Sequence, residues 1–276
     1  MDPNSSIITD VAYYIFGLVY DSPLPKLSGF YAVPVQVVAS VGKINAIGCI
    51  VPLEEFGQEE VANRINDMDW VSRIATLHYA LSDQIYQHSQ GFLPFRLCTI
   101  FSSPERVLEL LETKQPLFEA EFERLSDKAE FGLKIWAHDA WLARRTIATK
   151  PGLREKQAAV TQGGGKAFFA RKQFEVELAE SKKQLVPQLT NRLTASVSAA
   201  LSLPTGHSRN LTLPPNQAPD FVGLANLSLL LKRDQLEELK NVAERLDREA
   251  LEGGLVEVLG PLPPYSFINL GEEEAN

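Results

Sequence analysis

Apolar residues fall in short, β-branched and aromatic blocks over the first fifty positions and switch to a helical period after residue 67. "YYIFGLVY" (Tyr13 to Tyr20), bounded by "DSPLP", predicts a strand. "YAVPVQVVASV" and "KINAIGCIVP" predict a hairpin that turns at Gly42-Lys43, with Pro34 near the start of its strand. A short helix follows in "VPLEEFGQEEVANRI". In "DMDWVSRIATLHYALSDQIYQHS", Trp70, Ile74, Leu77, Leu81 and Ile85 share one face of a helix. "FLPFRLCTIF" (Phe92 to Phe101) reads as one strand, in which alternation places Arg96 and Cys98 on the same face. Ser103 caps the next helix and Pro104 fits its first position. Val107, Leu110, Leu111, Phe118, Phe122 and Leu125 form its stripe. "AEFGLKIWAHDAWL" predicts a strand running towards a helix. The order β-β-β-α-α-β-α-β indicates an α+β domain with a mainly antiparallel sheet.

The pattern changes after Trp141. "TKPGLREKQAAVTQGGGKAFFARKQ" is polar and basic. From Lys166 to about Ala200 the composition predicts one long helix, or two meeting at Pro187, with Leu178, Leu185, Leu189 and Leu193 as its seam. "RNLTLP" and "ANLSLLLKR" predict strands. "DQLEELKNVAERLDREA" predicts a helix capped by Asp234 and stopped at Gly253-Gly254. "LVEVLGPLPPYSF" returns as a strand ending in a rigid turn. The expected divisions are residues 1–142 as an α+β domain, 143–205 as a basic helical segment, and 206–276 as a second α+β part with a Pro/aromatic tail.

Composition and charge refine this picture. With 45% hydrophobic and 22% charged residues, a chain of 276 residues can bury a large core. No apolar run approaches the roughly 20 residues that cross a bilayer, and "MDPNSSIITD" has no signal-peptide character, so a cytoplasmic protein without membrane contact is expected. The net charge of −8 is unevenly spread: −9 over residues 1–142, +7 over 143–194 and −6 over 195–276. A basic patch can hold nucleic acid or an acidic protein surface, but the favoured reading is a solvated helix, or one that pairs with acidic parts of its own chain, and the acidic total argues against nucleic acid, whose binding depends on neutralising phosphates.

Candidate chemistry is sparse. Cys49 and Cys98 give neither a disulfide framework nor metal-ligand spacing. Arg96 beside Cys98 would lower a thiol pKa, but a thiol enzyme also needs a nearby base; the favoured reading is a core strand in which Arg96 pairs with a carboxylate. His78 and His88 lack a zincin spacing, and His138-Asp139 is adjacency without a dyad. "GGGK" (Gly163 to Lys166) fails the phosphate-loop motif, because Val160 stands at the first glycine and Ala167 follows the lysine. No catalytic, cofactor or metal residues are assigned. In the tail "GPLPPYSF" (Gly260 to Phe267), three prolines restrict the backbone and Tyr265 and Phe267 offer stiff contact surfaces. Such a segment either packs on its own domain or presents a docking edge.

Taken in order, "YYIFGLVY", "DWVSRIATLHYALSDQI", "LPFRLCTIFSS", "EFGLKIWA" and "GPLPPYSF" resemble the gas vesicle protein F/L family (GvpF/GvpL) from about Tyr13 to Phe267. The family's central motif is represented only by "KAFFARKQ"; Leu262 stands where the family often has Trp, and Cys98 where it often has Gly. The resemblance implies two α+β domains, the N-terminal one ferredoxin-like, with a helical segment. It also implies a non-enzymatic minor component or assembly factor that contacts the hydrophobic shell protein and other accessory proteins of gas vesicles. Contact is expected on Lys166, Arg171, Lys172, Lys182 and Lys183 of the basic segment, and on Tyr265 and Phe267. The alternative is a regulatory protein that binds a ligand or nucleic acid on ferredoxin-like domains.

Overall fold

The computed structural model describes residues 10–161, 167–213, 219–251 and 254–270. The chain divides into two compact units, Met1–Glu130 with Leu262–Asn276, and Phe131–Pro261. The fold is mixed α+β with two antiparallel sheets plus helices, as the sequence pattern indicates.

In the first unit, strand β1 (Val11–Tyr20) is central. It pairs with β3 (Ile44–Pro52), β4 (Phe92–Pro94) and β5 (Ile100–Phe101), while β2 (Gln36–Val41) adds to β3. Tyr14, Ile15, Phe16, Leu18 and Val19 are all buried, which is why β1 reads as a nearly continuous apolar run rather than an alternating one. The β2–β3 hairpin turns at Gly42-Lys43 as expected, with Gly42 at φ +57°. Helices α1 (Leu53–Phe56) and α2 (Gln58–Arg64) lead to α3 (Met68–His88), and α4 (Pro104–Leu125) packs on β2 and β3.

Asp67 caps α3 by accepting from the Asp69 and Trp70 amides at 3.1 and 3.2 Å. Trp70, Ile74, Leu81 and Ile85 are buried, but His78 is buried where the expected stripe has the half-exposed Leu77. At α4, Pro104 takes the first turn as expected. The Ser103 side chain does not cap the helix amides; it hydrogen-bonds the Glu105 carboxylate, and this holds the Glu105 pKa below its ordinary value.

The expected single strand over Phe92–Phe101 is broken. Arg96 to Thr99 form a turn closed by the Thr99 amide and hydroxyl, which donate to the Arg96 carbonyl at 3.3 and 2.8 Å. Cys98 has φ +62°, so it shares no pleated face with Arg96, which is exposed and pairs with none of the described carboxylates. The break lies opposite Ile15 and Phe16 of β1, where the pairing of β1 with β3 is also irregular. A Cβ at Gly17 would lie 2.3 Å from the Leu93 carbonyl oxygen and 2.6 Å from the Phe92 ring. Gly17→Ala is therefore expected to destabilise the protein by about 3 kcal/mol, read as a lower urea midpoint.

In the second unit the sheet order is β7 (Ser208–Asn210), β8 (Phe221–Lys232), β6 (Lys128–His138), β9 (Leu255–Leu262); the boundary between units falls within β6. Leu224, Leu227, Leu229 and Leu231 on β8, and Phe131, Leu133 and Ile135 on β6, are buried. Helices α5 (Asp139–Thr149), α6 (Pro151–Thr161) and α7 (Ala167–Ala200) make up most of the basic segment. Helix α6 was not legible as an element; it begins on Pro151 and buries Leu153. Helix α7 runs through Pro187 as one element of 34 residues. On its seam Leu189 and Leu193 are buried and Leu178 and Leu185 half-buried. Helix α8 (Leu236–Arg245) starts differently from expectation: the Gln235 side chain, not Asp234, accepts from the Lys232 amide, at 3.1 Å. The Gly163–Gly165 triplet and Gly253 lie outside the described residues.

Candidate functional site

Four of the stretches that stood out in the sequence meet at one buried imidazole in the first unit. His78, from α3, has no exposed surface. Its Nδ1 lies 2.9 Å from the Tyr14 hydroxyl of β1, and its Nε2 lies 3.3 Å from the Tyr265 hydroxyl of the tail. The Tyr14 oxygen accepts the Cys98 amide at 3.0 Å. The buried Tyr14 proton needs an acceptor, and Nδ1 provides it, which assigns the ring proton to Nε2. Burial pushes the His78 pKa down to about 4, against the opposing hydrogen bond to the Phe95 backbone, so the ring is neutral at ordinary pH. Phe30 and Phe56 stand edge-on to Tyr14, at centroid distances of 4.8 and 5.9 Å.

The thiols around this node are not activated. Burial pushes both Cys98 and Cys49 up to about 11. Tyr14 and Tyr265 are raised as well, burial being the main cause in both. The Tyr14 oxygen, paired with His78, thus holds the Cys98 backbone amide, while Arg96 is exposed to solvent. Cys98 is accordingly expected to react with maleimide at pH 7.5 about two orders of magnitude more slowly than an unperturbed cysteine. Labelling of the native and the denatured chain, followed by mass spectrometry, checks this.

Beside the node, the tail is bound along its length. Pro263, Pro264, Phe267 and Leu270 are buried, and the Tyr265 ring lies 5.3 Å from that of Tyr79. Two acidic residues of the unit receive the tail's donors. Glu130 accepts the Ser266 amide at 2.7 Å and its hydroxyl at 2.6 Å. Glu121 accepts the Asn269 amide at 3.1 Å while held by Arg124 through two bonds of 2.8 and 2.7 Å. Arg124 also donates to the Phe267 carbonyl, and Lys114 to the Leu270 carbonyl at 3.1 Å. Glu121 and Glu130 are only 6% and 7% exposed, so these charge-assisted bonds operate away from solvent, where they are strongest.

The residues singled out from the sequence fall in both units. Lys166 lies outside the described residues. Arg171 and Lys172 are exposed on α7. Lys182 is half-buried and pairs with Asp139 at 2.6 Å, whereas the exposed Lys183 pairs with Glu180 of its own helix at 2.9 Å. Tyr265 is half-buried and Phe267 is 3% exposed. Several important residues had no role assigned from the sequence. Glu121 did offer a signal: it falls between Phe118 and Phe122 on the α4 stripe that ends at Leu125, and so on the buried side of the helix. Phe168 and Phe169, 71% and 76% exposed on α7, gave no sequence signal beyond two aromatics in a polar stretch.

Comparison with known proteins bears on the same residues. The model of the family described as gas vesicle synthesis protein GvpL/GvpF matches residues 12–269. Gas vesicle protein L of Streptomyces sp. (strain CB03234) is 25% identical over 271 residues, covering 97% of each chain. Gas vesicle protein F of the same organism is 26% identical over 259 residues, covering 92% of this chain and 98% of that one. Among solved structures, GvpF from Anabaena sp. PCC7120 aligns with a TM-score of 0.66 and GvpF from Microcystis aeruginosa with 0.61, each at 14% identity. The alignments cover 94% and 93% of this chain and 98% of each structure, and at this identity they establish the fold.

Proposed function

The chain belongs to the gas vesicle synthesis protein GvpL/GvpF family, and from that premise we propose that it is a gas vesicle accessory protein that binds the hydrophobic shell protein during vesicle formation. It acts in the cytoplasm as a minor component or chaperone-like assembly factor, together with other accessory proteins. The observation that carries this reading is the family match over residues 12–269. Apolar shell subunits need shielding before assembly, and a folded partner supplies it by covering an exposed face.

We assign two contact surfaces, a cationic one in the second unit and an aromatic one in the first. Arg171, Lys172 and Lys183 present charge on α7, and the tail segment presents Tyr265, anchored by the buried Phe267. Lys182, tied to Asp139, and Lys166 complete the basic set named from the sequence. Immobilised chain is expected to retain purified shell protein over a range of salt. Failure to retain it at every ionic strength tested contradicts the reading. Among the described residues no helix is long and apolar enough to cross a membrane.

A further inference from the structure

The Pro/aromatic tail is held in the first unit as a bound peptide rather than as a further strand or helix. Between Pro263 and Leu270 it adds to neither sheet and forms no helix. Its anchors are side chains of the unit. Glu130 and Glu121 accept the Ser266 and Asn269 amides, while Arg124 and Lys114 donate to the Phe267 and Leu270 carbonyls. These bonds all reach main-chain atoms, so they fix the direction and register of a bound segment whatever its side chains are. Glu121 and Glu130, both largely buried, make this a built site rather than a surface contact.

Side-chain contacts add selectivity to this main-chain grip. Tyr265 sets its hydroxyl against His78 Nε2 and its ring against Tyr79. The Ser266 hydroxyl donates to Glu130. Phe267 and Leu270 are buried. The ligand that these contacts describe is an aromatic–serine–aromatic segment with an apolar residue three positions further on, as in Tyr265 to Leu270. At the root of the tail, Gly260, Pro261 and Leu262 are exposed. None of the anchoring bonds depends on that covalent root, so each can be made equally to the same segment of another molecule.

We propose that the first unit carries a peptide-binding site for an aromatic–serine–aromatic segment, filled here by the chain's own tail, and that the tail of a second copy takes the site when the resident one is displaced. The resident tail has the advantage of its tether, which supplies an effective concentration on the order of millimolar. Exchange between copies therefore dominates where the resident tail is weakened or the chain is concentrated.

Thermal melting of the full chain carrying Phe267→Ala, titrated with a synthetic peptide of residues 261–270, tests the site. The peptide is expected to raise the melting temperature, with half of its effect reached below roughly 1 mM, the concentration that a short tether provides. The same peptide with Phe267→Ala is expected to bind at least about tenfold more weakly. The unaltered chain, whose own tail competes, responds at least about tenfold more weakly as well. Tyr265→Ala supplies a second chain with a weakened tail should Phe267→Ala not fold. Sedimentation equilibrium of a mixture tests the second copy. The Phe267→Ala chain keeps an intact site, and a Glu130→Leu chain, or Arg124→Leu in its place, keeps an intact tail. Their mixture is expected to associate at least about tenfold more tightly than either chain alone, at concentrations up to roughly 1 mM. Circular dichroism checks that each variant is folded. No rise in melting temperature at roughly 1 mM peptide, or equal responses to the two peptides, overturns the site. Equal responses of the unaltered and the variant chain place the peptide elsewhere and overturn it too. Peptide binding without association on mixing overturns the second-copy assignment, in favour of the shell protein if that protein displaces the peptide. The melting and mixing experiments contain no shell protein, so their failure is distinct from failure of the assembly role.

Discussion

Replacing Phe267 with alanine is expected to lower the unfolding free energy by about 3–5 kcal/mol. The side chain is 3% exposed, so truncation leaves a cavity as well as losing the transfer free energy of the ring. The consequences extend along the tail. Phe267 lies between two sets of polar bonds, Ser266 on Glu130 and Asn269 on Glu121. A tail that lifts away gives up these bonds to Glu121 and Glu130 together with the burial of Phe267, so the losses add along the segment. Urea unfolding of the variant measures the loss, and limited proteolysis shows whether cleavage concentrates between Leu262 and Leu270. A loss below about 1 kcal/mol, the scale of an ordinary surface substitution, contradicts the structural role assigned to the tail.

The second large effect is a dependence on pH. The His78 pKa falls from 6.5 in the unfolded chain to about 4 in the folded one, burial being the main cause. Below pH 6.5 the unfolded chain takes up a proton that the folded chain refuses, so this contribution to stability is present above 6.5 and declines as the pH falls towards 4. The full interval corresponds to roughly 3 kcal/mol, of which roughly 2 is lost between pH 7 and pH 5. His78→Gln has no proton to gain there. The native protein is expected to lose roughly 2 kcal/mol more than the variant between those two pH values. Parallel curves for the two proteins would show that His78 does not titrate as its burial requires.

The sequence made much of this architecture legible where local and tertiary demands agree. The Gly42-Lys43 turn, the amphipathic faces of α3 and α4 and the continuous apolar run of β1 follow from periodicity. The Arg96–Thr99 turn did not: it rests on Cys98 at positive φ and on bonds to the Arg96 carbonyl within an otherwise apolar run. Periodicity reports which residues are apolar; it does not report a turn inside such a run. Helix α6 was hidden for another reason: its basic, polar composition resembles a loop, and Leu153 is its main buried anchor. For the site, the stretches around Tyr14, His78, Cys98 and Tyr265 were each conspicuous, but sequence could not show that they converge. Glu121 and Glu130 gain their meaning only once the tail lies against them.

We propose that the reactive-looking groups maintain a shape and that the protein works through its surfaces. Gas vesicle yield in cells whose own copy is replaced by Cys49→Ser and Cys98→Ser variants tests it most directly. Vesicle yield is expected to stay within about twofold of the unaltered chain, since each substitution removes a reactive atom and keeps most of the shape. Loss of vesicles in a variant that remains folded and still retains the shell protein would mean that these groups perform chemistry, and would contradict the account.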